Sequence, residues 1–112
     1  MIRYLLVTVL ICLPSILNAS DFNGKYMLKG YACDDPRTYF SRTIKGAEFF
    51  NDESYCTLQS KTNIRGMNAT LFDAECSSEG DEYKDRIMFM RGMEKSLYII
   101  QDGWVGEFLL CE

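Results

Sequence analysis

LFDAECSSEGDEYKDRIMF, residues 71–89, is the stretch from which the rest of the chain is read. Phe72, Ala74 and Cys76 alternate with Asp73, Glu75 and Ser77, and beyond a short acidic segment Tyr83, Ile87 and Phe89 share one parity. Side chains on a strand point to opposite faces in turn, so a period of two marks a half-buried strand. Residues 77–82 between the two runs are all small or charged, and Gly80 stands where a positive φ costs least. The stretch predicts a β-hairpin that reverses through a loop longer than a two-residue turn.

Working outward, Cys56, Leu58, Ser60, Thr62 and Ile64 alternate with polar neighbours and predict a long strand ended by Gly66. Residues 67–76 form its neighbour, with a shift of parity between Leu71 and Phe72 where a bulge is expected. Downstream, residues 82–91 and 95–101 read as strands separated by Gly92-Met93-Glu94, and Asp102-Gly103 is a strong turn before a last strand over 104–111. Upstream, residues 25–31 set Tyr26 and Leu28 against Met27 and Lys29 as a first strand. Asp34-Asp35-Pro36 then opens either a turn or two of helix through Tyr39 and Phe40 or an irregular loop. Residues 42–45 and 47–50 give two short strands around Gly46, and Asn51-Asp52-Glu53 supplies the next turn. Seven or eight short strands with hairpin-length connections predict an all-β fold, an antiparallel meander closed or nearly closed into a small barrel.

The first residues are set apart. Arg3 precedes an apolar run over 4–13 broken only by Thr8, and Leu17-Asn18-Ala19 before Ser20-Asp21 has the form of a signal-peptidase site. Residues 1–19 are therefore expected to be a cleaved signal peptide, since the apolar run to Leu17 is about 14 residues where a spanning helix needs roughly 20. Cys12 follows Ile11 inside that run, which does not fit a lipoprotein, and it is expected to leave with the signal. The remainder, residues 20–112, has 93 of the 112 residues and reads as one secreted β-domain, with no repeat or low-complexity tract.

A domain of that size buries only roughly 60 to 65% of its unfolded surface, so its core is marginal without covalent help. Cys33, Cys56, Cys76 and Cys111 remain after removal of Cys12, an even number in a compartment that oxidises thiols. Three pairings are possible. The strand layout favours Cys56 with Cys76, near the ends of neighbouring strands, and Cys33 with Cys111, tying the start of the domain to its end. On the chain-entropy model such loops contribute about 3 and about 4.5 kcal/mol.

Charge and composition narrow the function classes. Once Arg3 is removed, 16 acidic residues face 11 basic ones, a net charge near −5, and the longest basic cluster is residues 84–86 with Asp85 inside it. Nucleic acid and anionic membranes require a positive face, so neither is an expected partner, whereas a basic protein is. The chain has no histidine, which removes Ser-His-Asp, Cys-His and His-ligated metal designs together. It has no Cys-x-x-Cys and no Ser-x-x-Lys. Glu48, Asp52 and Glu53 are close enough in sequence to raise a two-carboxylate hydrolase, and Asp81, Glu82 and Asp85 to raise calcium. Both groups read more simply as solvated turn acids, so no catalytic residue, metal or cofactor is assigned. Asn68-Ala69-Thr70 is a formal glycosylation sequon within a predicted strand and carries no weight here.

Gly24-x-Tyr26 with Cys33 nine residues after the glycine, Glu53-Ser54-x-Cys56, Phe72-x-Ala74-x-Cys76-x-x-Glu79-Gly80-x-Glu82-Tyr83 and the final Cys111 form a framework across the domain. It resembles a group of small secreted four-cysteine bacterial β-proteins of unassigned function, whose members carry Trp where this chain has Tyr26 and Tyr83. The resemblance implies a periplasmic β-domain and brings no catalytic residues.

The expected function is accordingly binding: a small acidic periplasmic protein that docks onto or inhibits a partner, as lysozyme inhibitors act on cationic wall hydrolases or immunity proteins on toxins. Asp52, Glu53 and Tyr55 in one loop and Glu79, Asp81 and Glu82 in another are its candidate contacts. The alternative is a small-molecule carrier with an open barrel interior, for which Tyr26, Phe49, Phe72, Phe89 and Trp104 are candidate lining residues. A structural envelope protein without a ligand is the third possibility. Finally, Met88 and Met90 alternate with inward Ile87 and Phe89, so they are expected to form an outer apolar stripe with Tyr98 and with Ile100 or Leu110. Such a stripe requires a cover: either residues 35–44, bringing Tyr39 and Phe40 over it, or a partner or second copy of the chain.

Overall fold

Thr70, Phe72, Ala74 and Cys76 are all buried along one strand, and Ile87 and Phe89 meet them from the next, so the hairpin read from residues 71–89 is the spine of the fold. The computed structural model describes residues 22–111. The expected signal segment and Cys12 lie outside the described residues.

The strands are β1 Gly24–Leu28, β2 Ser41–Lys45, β3 Glu48–Phe50, β4 Ser54–Asn63, β5 Ala69–Ser78, β6 Asp81–Arg91, β7 Ser96–Gln101 and β8 Trp104–Leu110. Each pairs antiparallel with the next, and β8 pairs with β1, which closes an eight-stranded barrel. Closure leaves no full-length edge to template aggregation. The part of β6 before Met88 extends past its ladder with β7, and Asp81, Glu82, Lys84, Asp85 and Arg86 guard it with charge. Short 3₁₀ turns occupy Thr38–Phe40 and Met93–Lys95, so the helical option after Pro36 is realised as a single turn.

The interior is filled with side chains. Phe89 sits at its centre, with ring centroids 5.6 Å from Phe22, 5.2 Å from Phe49 and 5.7 Å from Phe72, two of the three edge-on. Tyr26, Ile44, Leu58, Ile87, Leu97, Ile99 and Phe108 belong to the same buried cluster, with Cys56, Ala74 and Cys76. Phe22 stoppers one end: its carbonyl accepts the Tyr26 hydroxyl at 2.6 Å, and the Arg91 guanidinium lies 5.2 Å over its ring.

Both expected disulfides are present. Cys56 and Cys76 stand opposite one another on β4 and β5 and are buried, while Cys33–Cys111 joins an exposed loop to the end of β8. That second bond holds residues 29–40 as a strap across the outside of β1. Met27 consequently is 3% exposed although it alternates with inward Tyr26. The strap is internally stacked, with Tyr31 on Phe40 at 4.1 Å and Arg37 over both rings.

Five expectations are corrected. The central hairpin reverses through the two-residue turn Glu79-Gly80, with φ 51° and 85°, and not through a longer loop, because Ser77, Ser78, Asp81 and Glu82 extend the ladder between β5 and β6. The bulge lies in β4 between Gln59 and Thr62, where Ser60 takes φ 56°, and β5 keeps one parity throughout. The extra residue thus sits on the strand whose outer end lacks a β3 partner, where a local kink disturbs no second ladder. Of residues 35–44, those up to Phe40 belong to the strap over β1 and those from Ser41 on form β2, so none covers the β6–β7 face; the Cys33–Cys111 bond fixes where the strap can reach. Leu110 pairs with Tyr26 and so has inward parity, which takes it off the outer stripe. Tyr83, though on the inward parity of Phe89, is 44% exposed because the core ends before it.

Candidate functional site

In an up-and-down barrel alternate connections gather at the same end. Turn 51–53, turn 79–80, turn 102–103 and the roots of the strap therefore lie together, opposite the end stoppered by Phe22. The sequence order hides this proximity.

At the open end the two acidic loops proposed from sequence meet. Ser54 pairs with Ser78 across β4 and β5, and the Ser78 hydroxyl donates to the Glu53 carbonyl at 3.1 Å. Asn51 orders the first loop, its side-chain oxygen accepting the Glu53 and Ser54 amides at 2.9 Å each. Asp52 accepts the Thr38 hydroxyl, which ties the strap to the same rim. Asp52, Glu53, Tyr55, Glu79 and Glu82 line one shallow concavity of about 350 Å³ with no basic residue among its lining, and Asp81 stands beside it at the start of β6. All six are exposed. Tyr55 faces outward, its hydroxyl donating to Glu48 at 2.7 Å, and that bond to a carboxylate raises its pKa. Among the described residues no group of three potential ligands gathers for a metal ion.

Met88, Met90 and Tyr98 do share the outer face expected of them. Met88 lies between Leu71 and Ile100 in the cross-strand register, and Val105 follows Ile100, so one row of apolar side chains crosses β5 to β8. The row below runs from Met90 to Tyr98 and then to Glu107, which pairs with Lys29 at 3.4 Å and ends the stripe. Val105 is 61% exposed and the others are half-buried against one another. The stripe and the acidic rim occupy different faces and are not brought together.

Of the aromatic residues considered for a carrier, Tyr26, Phe49, Phe72 and Phe89 are buried core, and Trp104 alone lies partly exposed at the open end. Beside it is Arg42, a residue the sequence reading passed over. Its signal was its parity: Arg42 alternates with Ile44 and so points inward near the mouth of the barrel. The guanidinium carbon is 5.4 Å from the Phe108 ring centroid and 6.0 Å from that of Trp104. Burial lowers the Arg42 pKa, and the field of Glu53 partly restores it.

No family model, curated protein or solved structure matches the chain. The two disulfides fit a compartment that oxidises thiols. Among the described residues no helix is long and apolar enough to cross a membrane.

Proposed function

We propose that the protein is exported to the periplasm, where it docks onto or inhibits a basic protein partner through the acidic rim at the open end of its barrel. One observation carries this reading: two loops 25 residues apart in sequence are pinned together, so that Asp52, Glu53, Glu79 and Glu82 share one concavity with no basic lining residue. Clustered charge of one sign speeds encounter with an oppositely charged surface and selects against acidic competitors. The pinning through Ser54, Ser78 and Asn51 orders the backbone before binding, which lowers the entropy cost of docking. The filled interior favours recognition at the surface over enclosure of a ligand.

The test is capture from a bacterial envelope extract with immobilised protein, comparing wild type with Glu53→Ala and Asp81→Ala combined. A basic protein retained at low salt, released as salt rises and lost in the folded variant supports the reading. Equal retention by the variant, or an acidic partner, would overturn it. Separate loss of retention in Met88→Asp with Met90→Asp would move the contact to the apolar stripe.

A further inference from the structure

Arg42 is an inward-facing cation at the barrel mouth with no carboxylate partner among the described residues. Among the described residues only Nη1 donates a hydrogen bond, to the carbonyls of Tyr39 at 2.8 Å and Ser41 at 2.7 Å. Among the described residues Nε and Nη2 have no acceptor, yet they are not sealed in: Ser96 Oγ is the only buried side-chain polar atom without a partner there. A partly desolvated guanidinium with one edge of its fork free and open to solvent is configured for a planar acceptor. The surroundings supply a flat apolar wall. Trp104 lies over Gly106, where a Cβ would fall 2.5 Å from the indole and 2.9 Å from Phe108, so the glycine permits the indole to lie flat against the strand. Trp104 remains 39% exposed beside the Phe108 ring, 6.0 Å away between centroids.

We propose that the mouth of the barrel binds a small organic carboxylate, its two oxygens on Nε and Nη2 of Arg42 and its apolar body against Trp104. The pairing uses the geometry in which arginine holds carboxylates best, two parallel charge-assisted hydrogen bonds. Glu53 is the acid whose field reaches Arg42, so it competes electrostatically with the ligand without forming an ion pair of its own. This site is independent of the protein-docking reading, since it needs one cation and one indole rather than the acidic rim.

The experiment is a ¹⁵N NMR titration of the folded protein with sodium benzoate at fixed ionic strength, following the Arg42 Nε–H and the indole N–H of Trp104, the chain's single tryptophan. Both signals are expected to shift saturably. Arg42→Gln should weaken binding by about tenfold or more, in keeping with loss of a charge-assisted bidentate contact. Glu53→Gln should tighten it by about threefold as the competing charge is removed. Benzamidine, of the same shape and opposite charge, should not displace benzoate. No saturable shift, equal affinity in Arg42→Gln, or equal binding of benzamidine at these two signals overturns the proposal. If Arg42→Gln does not fold, Arg42→Lys decides it, since that variant keeps the charge but loses the planar fork, and unchanged benzoate affinity there excludes the two-oxygen contact.

Discussion

The two ends of this barrel are built from the same hairpins and treated oppositely. One end is shut by the chain itself: Phe22 enters beneath Phe89, its carbonyl takes the Tyr26 hydroxyl, and Arg91 covers its ring. The other end is left polar, with the exposed carboxylates of Asp52, Glu53, Glu79, Asp81 and Glu82 around it and Arg42 and Trp104 just inside. The apolar stopper is thus at one end and the cluster of carboxylates at the other. Stability should therefore reside at the closed end, and recognition at the open one.

The strongest way to break that division is Phe89→Ala. Phe89 is fully buried among Phe22, Phe49 and Phe72, and truncating a core phenylalanine costs about 3 to 5 kcal/mol. Urea unfolding should show that loss with an unchanged slope; a cost below about 1 kcal/mol would mean the aromatic cluster is not a shared core.

Next in size is Gly92→Ala, also at the closed end. The added Cβ would lie 2.2 Å from Ser96 Oγ and 2.7 Å from the Tyr98 ring, and overpacking of this kind costs about 1 to 3 kcal/mol. Thermal melts are the measurement, and restoration of the melting point by Ser96→Ala in the same chain would place the clash at that hydroxyl.

At the open end, Glu53→Ala combined with Asp81→Ala should change stability by no more than about 0.5 kcal/mol, because both side chains are exposed. A larger loss in chemical denaturation would make these acids structural and remove the contrast between the two ends.

The smallest effect concerns the strap over β1, which spans the distance between the two ends. Asp35 accepts from the Arg37 side chain at 2.7 and 2.9 Å and from its amide at 2.9 Å, which holds its pKa at about 2, below the usual 3.8. A carboxylate with a depressed folded pKa stabilises above its unfolded pKa, and the contribution fades as pH falls from about 4 through about 2. The pair lies at the surface, so the stability at stake is small. An NMR titration should place Asp35 near 2 in the wild type and higher in Arg37→Ala, still below 3.8 because the amide of residue 37 continues to donate to it; identical midpoints would dissolve the pair.

Alternation along the chain gave seven or eight strands, most of their inward residues and the all-β class, because a strand's two faces are set by nearest neighbours and solvent alone. Strand layout also led to both disulfides, since Cys56 and Cys76 fall opposite each other once the hairpin is drawn. The acids of the candidate rim could be named one by one from residues 51–55 and 77–82. Their meeting in one concavity depended on closure, which brings alternate turns to one end whatever their distance in sequence. The path of the strap was likewise a tertiary matter: Tyr39 and Phe40 are apolar enough to cover Met88 and Met90, but the Cys33–Cys111 bond lays their segment over Met27 instead. Arg42 shows the same limit at one residue. Its parity was written in the strand, yet its lack of a carboxylate partner among the described residues follows only from which side chains the closed barrel places around it, and local periodicity holds no information about neighbours across the barrel's interior.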